Sequence, residues 1–153
     1  MTTINRRNFV LLGGSALTLA ACLGPQGPGA VTISANGASG MNPGPDGSDR
    51  PLTLTVVQLK SSAAFDGADF FALQDPSAAL GGDLLKADQI VLTPGSSANK
   101  VIGLESGAAF IGVIAGFRSP AGKNFRAKLA APAKGNAGVA VTVGSGGISL
   151  ASV

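Results

Sequence analysis

Short apolar runs alternate with breaks rich in glycine, proline, serine and asparagine, and most of the runs have the two-residue period of a half-buried strand. Residues 30–35, AVTISA, predict a first strand, and residues 37–50, GASGMNPGPDGSDR, carry no sustained apolar period and predict a long loop. The next run, LTLTVVQL at 52–59, places Leu52, Leu54, Val56 and Gln58 on one face and Thr53, Thr55, Val57 and Leu59 on the other. Apolar residues on both faces toward its end predict a strand that enters the middle of a packed structure.

One segment departs from the β pattern. Phe65, Ala68 and Ala72 recur at helical spacing, with Asp66 and Asp69 in the early turns where the helix dipole favours carboxylates. The spacing predicts a helix over 62–75, with Ser62 as N-cap and Asp75-Pro76 as its end, then a turn or two over 77–80 stopped by Gly81-Gly82. Strands resume at 89–93, 100–105 and 108–118. In the last of these, Ile111, Val113, Ala115 and Phe117 share one face, and Phe110, Gly112, Ile114 and Gly116 the other, where small residues admit a close neighbour. Residues 124–130 alternate Phe125, Ala127 and Leu129 inward with Arg126 and Lys128 outward; Val139, Val141 and Val143 form another inward row, and a final strand covers 148–153. About eight strands with one helical excursion after the second predict an all-β, two-sheet antiparallel β-sandwich. A barrel of similar strand number is the rival architecture.

The beginning of the chain has a different design. Arg6 and Arg7 precede an apolar run from Phe9 to Ala21 that is too short to span a bilayer stably, and the run ends on small residues. This reads as an export signal over 1–21. Leu19-Ala20-Ala21-Cys22 has the order of a bacterial lipobox, and Asn5-Arg6-Arg7-Asn8-Phe9-Val10-Leu11 resembles a twin-arginine signal, with the general export route as the alternative. Resemblance to lipoboxes implies that Cys22, the only cysteine, carries diacylglycerol and an N-acyl chain, enough to hold a protein stably at a membrane. Leu23 stands where lipoproteins kept at the inner membrane commonly have Asp, which by the same resemblance points to the outer membrane. Residues 22–29 then form a Pro/Gly-rich tether, and residues 30–153 the periplasmic domain.

Composition narrows the chemistry. Removal of the signal takes Arg6 and Arg7 from the 11 basic residues and leaves nine against eight acidic ones, so the basic balance of the full chain says nothing about nucleic acid, and none is expected as a partner. Histidine, tryptophan and tyrosine are absent, which removes the usual metal ligand, general base and interface anchors. Asp66 and Asp69 could meet on a helix but fit dipole partners better than an acid/base pair. Ser61, Ser62, Ser96 and Ser97 have no histidine to activate them, and the glycine clusters match neither GxGxxG nor a P-loop. No enzyme, cofactor, metal or small-molecule substrate is expected. Arg118, Lys123, Arg126 and Lys128 read either as outward strand residues that keep the sheet soluble or as a basic patch for acidic lipid or a partner.

Together the lipobox, the Asn-Pro loop leading to Arg50-Pro51, the strand end Val57-Gln58-Leu59-Lys60, the run AFDGADFFAL at 64–73, Leu92-Thr93-Pro94-Gly95 and IGVIAGFR at 111–118 closely resemble the type VI secretion lipoprotein family, TssJ or VasD. The resemblance covers nearly all of residues 30–150. Val57, Gln74 and Asn124-Phe125 depart from it, each replacing a family aromatic. It implies a transthyretin-like sandwich on an outer-membrane lipoprotein facing the periplasm, which holds the trans-envelope complex by binding the periplasmic part of its inner-membrane subunit TssM. It also implies that the loop between the first two strands makes the contact, with Met41, Asn42, Pro43, Asp46, Asp49 and Arg50 as contact residues. A flexible connector is the competing reading of that loop, and a lipid-anchored sandwich binding a small ligand or glycan is the competing function.

Overall fold

Alternation in the first run turns Val31, Ile33 and Ala35 to one side of strand β1 (Ala30–Gly37), and all three are fully buried. The computed structural model describes residues 29–133 and 135–153; the proposed signal, the lipobox with Cys22, and residues 23–28 of the tether lie outside them. Seven further strands follow: β2 (Leu52–Leu59), β3 (Leu84–Leu92), β4 (Ser97–Gly103), β5 (Phe110–Ala115), β6 (Arg126–Ala130), β7 (Ala137–Gly144) and β8 (Gly147–Ser152). They form two four-stranded sheets, ordered β4-β1-β7-β8 and β3-β2-β5-β6. This is the expected sandwich of transthyretin-like type. Among the described residues every strand ladder is antiparallel except β1 with β7, which is parallel, and an isolated parallel bridge joins Asn124 to Gly147. The two paired runs lie a hundred residues apart, so no hairpin dictates their direction.

Between the sheets lies one core, built from Val31, Ile33 and Ala35 facing Leu54, Val56, Ile111 and Val113, with Val139, Val141 and Val143 alongside. Gln58 is the polar member of its strand's inward face and is nearly fully buried. Its Nε2 donates to Gly103 O at 2.8 Å and its Oε1 accepts from Glu105 N at 2.7 Å, so both ends of the amide are satisfied and β2 is tied to the opposite sheet.

A second, smaller core covers the outer face of β2 and β5, where Val57, Leu59 and Ile114 meet Phe65, Leu73 and Leu80. The expected apolar character of both faces of β2 has this cause. At Gly112 the insertion packs directly onto the backbone of β5, since a Cβ there would sit 2.8 Å from Phe65 Cε2.

The inserted segment is not the single helix over 62–75 that the spacing predicts. It comprises α1 (Ala63–Gly67), a 3-10 turn (Ala72–Gln74) and α2 (Pro76–Leu80). Arg126 explains the break: its guanidinium donates to Phe65 O at 2.8 Å, to Asp66 O and to Ala68 O, occupying carbonyls that a continuing helix would need. Asp69 Oδ1 accepts from Ala72 N at 2.8 Å and starts the next turn. Ser62 makes no capping bond; its hydroxyl accepts from Lys128 Nζ at 3.0 Å. Asp75-Pro76 opens α2, with Asp75 accepting from Ala78 N and Pro76 in the first turn. Arg126 and Lys128 are therefore neither free solubilising residues nor an open basic patch. They clamp the insertion to the edge of the sheet, and Lys128 also pairs with Asp66, whose carboxyl it holds below the usual carboxylate range.

Strand limits differ where pairing outweighs local pattern. β3 begins five residues before the expected Gln89 because residues 84–88 pair with the end of β2 across a bulge at Gln58/Leu59. β5 stops at Ala115 instead of Arg118, and the chain turns there through bonds from Gly116 N to Thr53 O and from Phe117 N to Ala115 O. β4 begins three residues and ends two residues earlier than expected.

Candidate functional site

Strand direction sorts the connections into two ends. Gly29 and the start of β1 lie at one end; the loop at 38–51, the β3–β4 turn, the β5–β6 connection and the β7–β8 turn lie at the other. These distal connections are bonded to one another. Gly37 N donates to Ser96 O and Ala38 N to Val143 O, each at 2.9 Å. Arg118 N donates to Asn42 Oδ1 at 2.9 Å, and Lys123 Nζ donates to Met41 O at 3.2 Å.

Met41 and Asn42 are the residues that fix the loop, and neither presents its side chain outward. Met41 is the one large apolar side chain in a polar stretch, and it is fully buried in the main core, with its Sδ so near Gly37 that a Cβ there would be 2.8 Å away. Asn42 is also buried. Its Nδ2 donates to Pro51 O at 3.2 Å, its Oδ1 takes the Arg118 N–H, and its carbonyl accepts from Arg50 N at 2.9 Å. Asp49 closes the inside of the loop, since its two oxygens accept from Asn42 N at 2.8 Å and from Gly40 N.

Beyond this base the chain makes a small hairpin. Pro43 bridges Asp49, Gly44 N donates to Ser48 O at 2.8 Å, and Gly47 N donates to Gly44 O at 3.0 Å with Gly47 at a φ of 79°, which only glycine adopts cheaply. Asp46 accepts from Ser48 N at 3.1 Å and pairs with Arg50 at 3.2 Å, an exposed ion pair of small energetic weight. Such a loop is not a flexible connector. Of the six residues expected to make contact, Pro43, Asp46 and Arg50 are exposed, Asp49 is half-buried, and Met41 and Asn42 act as anchors. Pro45, Ser48 and Arg118 add exposed surface to the same end. The bond from Arg118 could not be read from the sequence, because it spans 76 residues.

The Asp49 carboxylate lies below its ordinary value of 3.8, chiefly through the Asn42 N–H and then through those of Gly40 and its neighbours, against a raising effect of burial. Because the folded value is depressed, the stabilisation is complete above the unfolded value and disappears as pH falls through the folded one. Amide exchange of Gly40 and Asn42, corrected for intrinsic rates, is expected to quicken as pH drops below 3.8, and Asp49→Asn is expected to flatten that dependence.

At the opposite end, a cavity of about 470 Å³ is lined by Gly29, Leu104–Ala108 and Ala131–Ala133, with Glu105 as its charged member.

The described residues thus form a two-sheet sandwich with a hydrogen-bonded polar loop cluster at the end remote from Gly29. The chain belongs to the type VI secretion lipoprotein family described as VasD, EvfM, TssJ and VC_A0113, whose model matches residues 29–146. It is similar in structure to the type VI lipoprotein TssJ1 from Pseudomonas aeruginosa, with 30% identity, a TM-score of 0.75, and coverage of 82% of this chain and 97% of that one. The Serratia marcescens protein Lip, a membrane-bound component of the type VI secretion system, matches at 28% identity and a TM-score of 0.71, over 81% and 96% of the two chains. A chain of a type VI membrane complex matches at 25% identity and 0.70, over 82% and 99%. No curated protein matches the sequence.

Proposed function

We propose that this protein is a non-catalytic anchor of the type VI secretion apparatus, held in the outer membrane through acyl chains on Cys22 and facing the periplasm. Its distal loop binds the periplasmic region of the TssM-like inner-membrane subunit. Polarity of the fold carries this reading: the tether joins at Gly29, and the eight residues of β1 at about 3.3 Å each place the loop about 26 Å farther along the domain. A membrane-held domain would thus offer its loop to a partner reaching across the periplasm. Family membership and the likeness to a chain of a type VI membrane complex support the same role. Rigidity of the loop favours binding, because Pro43, Pro45 and the internal hydrogen bonds leave little entropy to lose.

The test is calorimetric titration of the unlipidated domain, residues 23–153, with the periplasmic region of the TssM-like subunit, beside a variant with residues 44–48 shortened to a two-residue turn. Micromolar or tighter binding by the first and at least a hundredfold loss in the second, with both folded by circular dichroism, is the expected result. Absence of binding by the intact domain overturns the anchor reading and brings forward the cavity at the tether end as a small-ligand or glycan site.

A further inference from the structure

The run ADFFAL at 68–73 puts two phenylalanines side by side in the inserted segment, and they have opposite fates. Leu73 enters the second core and Phe70 is half-buried, but Phe71 is 79% exposed. A lone exposed apolar residue is ordinary on a protein surface. Phe71 differs in being held in place. Its ring meets Phe70 edge-on at 5.4 Å, and Phe70 meets Phe125 edge-on at 5.4 Å. The segment beneath is clamped by Arg126 through the carbonyls of Phe65, Asp66 and Ala68. An aromatic ring fixed before binding loses little entropy when it is covered, which is the property of an interface anchor.

Position says what covers it. Phe125 lies two residues after Lys123, whose ammonium holds the Met41 carbonyl at the base of the distal loop. Two ring-to-ring steps from Phe125 therefore bring the surface of the loop cluster to Phe71. An ordinary interface of about 800 Å² per partner is about 30 Å across, so one partner can cover both. Charge narrows its chemistry: residues 61–83 contain four aspartates and no lysine or arginine, and Asp66, Asp69 and Asp75 are exposed. Asp66 is paired with Lys128, whereas Asp69 and Asp75, on either side of Phe71 in the chain, make no ion pair among the described residues.

We infer that Phe71 is a second anchor for the partner of the distal loop and enters an apolar pocket rimmed by basic side chains on it. The inference rests on the function proposed above. A membrane surface is the poorer occupant, because Asp69 and Asp75 would face anionic headgroups and the aromatic row adjoins the end away from Gly29.

Phe71→Ala, Phe71→Leu and Phe71→Lys test it in the same titration with the periplasmic region of the TssM-like subunit. Since the side chain is exposed, all three are expected to melt within about 2 °C of the parent. Binding should weaken at least tenfold in Phe71→Ala, recover most of that in Phe71→Leu, and weaken further in Phe71→Lys, with affinity of the parent falling as salt is raised. Parent-like affinity in Phe71→Ala, alongside loss of binding in the loop-shortened variant, would overturn the second anchor and leave the proposed function standing. No binding by the parent would remove both. A loss seen only against vesicles of phosphatidylethanolamine and phosphatidylglycerol would assign Phe71 to the membrane instead.

Discussion

Gly112→Val is expected to destabilise the domain by about 3 kcal/mol, lowering the melting temperature by roughly 10 °C for a domain of this size. The position is fully buried at the crossing of three layers. A Cβ would stand 2.8 Å from Phe65 Cε2 and Cζ and 3.0 Å from Val57 Cγ2, and the branches of valine add further volume. Phe65 cannot retreat, because its own carbonyl is held by Arg126 and its ring fills the second core. Either the insertion lifts from the sheet or β5 shifts against β2, and each exposes Phe65, Leu73 and Leu80 to water. Thermal denaturation followed by circular dichroism measures the effect, with Gly103→Val as the control. Nothing lies within 4 Å of a Cβ at Gly103, on exposed strand surface, so that change is expected to alter stability by less than about 0.5 kcal/mol. Equal effects at the two glycines would show that close packing at Gly112 is not what positions the insertion.

Asn42→Ala is expected to cost about 2 kcal/mol and to reduce partner binding by a larger factor than its effect on folding would account for. Its amide joins three pieces of chain: its oxygen takes the Arg118 N–H, its nitrogen serves Pro51 O, and its own backbone is paired with Asp49 and Arg50. Truncation leaves the Arg118 and Pro51 groups unpaired in a half-buried setting, where each lost partner costs about 1–3 kcal/mol less whatever water returns. The hairpin from Pro43 to Asp49 then loses its fixed angle to the β5–β6 connection. Urea denaturation gives the stability change and calorimetric titration the affinity change. The separation matters, because a uniform loss would follow from unfolding alone. Unchanged affinity in a folded Asn42→Ala domain would show that the loop's pose is not set by this residue.

Most of the sandwich was legible in the chain. Val31 and Ile33, Leu54 and Val56, Ile111 and Val113, and Val139, Val141 and Val143 carry a period of two, and a strand with that period has only one face it can bury. The doubly apolar end of β2 announced a layer on its outer face, and Gly112 announced that the layer comes close. The loop at 37–50 was legible as a loop because its glycines and prolines sustain no apolar period.

What the tertiary structure alone decided are the things set by partners distant in sequence. Arg126 reads as an outward strand residue, yet it ends α1 sixty residues earlier, because a guanidinium with several donors will satisfy open carbonyls wherever the sheet edge places it. Met41 reads as the apolar contact of a binding loop, yet it lies in the core, because a space between Gly37 and Leu92 repays burial more than exposure does. Local pattern reports how each run would bury itself against an unspecified neighbour. The identity of that neighbour, and with it the difference between anchor and contact residues in the distal loop, comes only from closing the two sheets on one another.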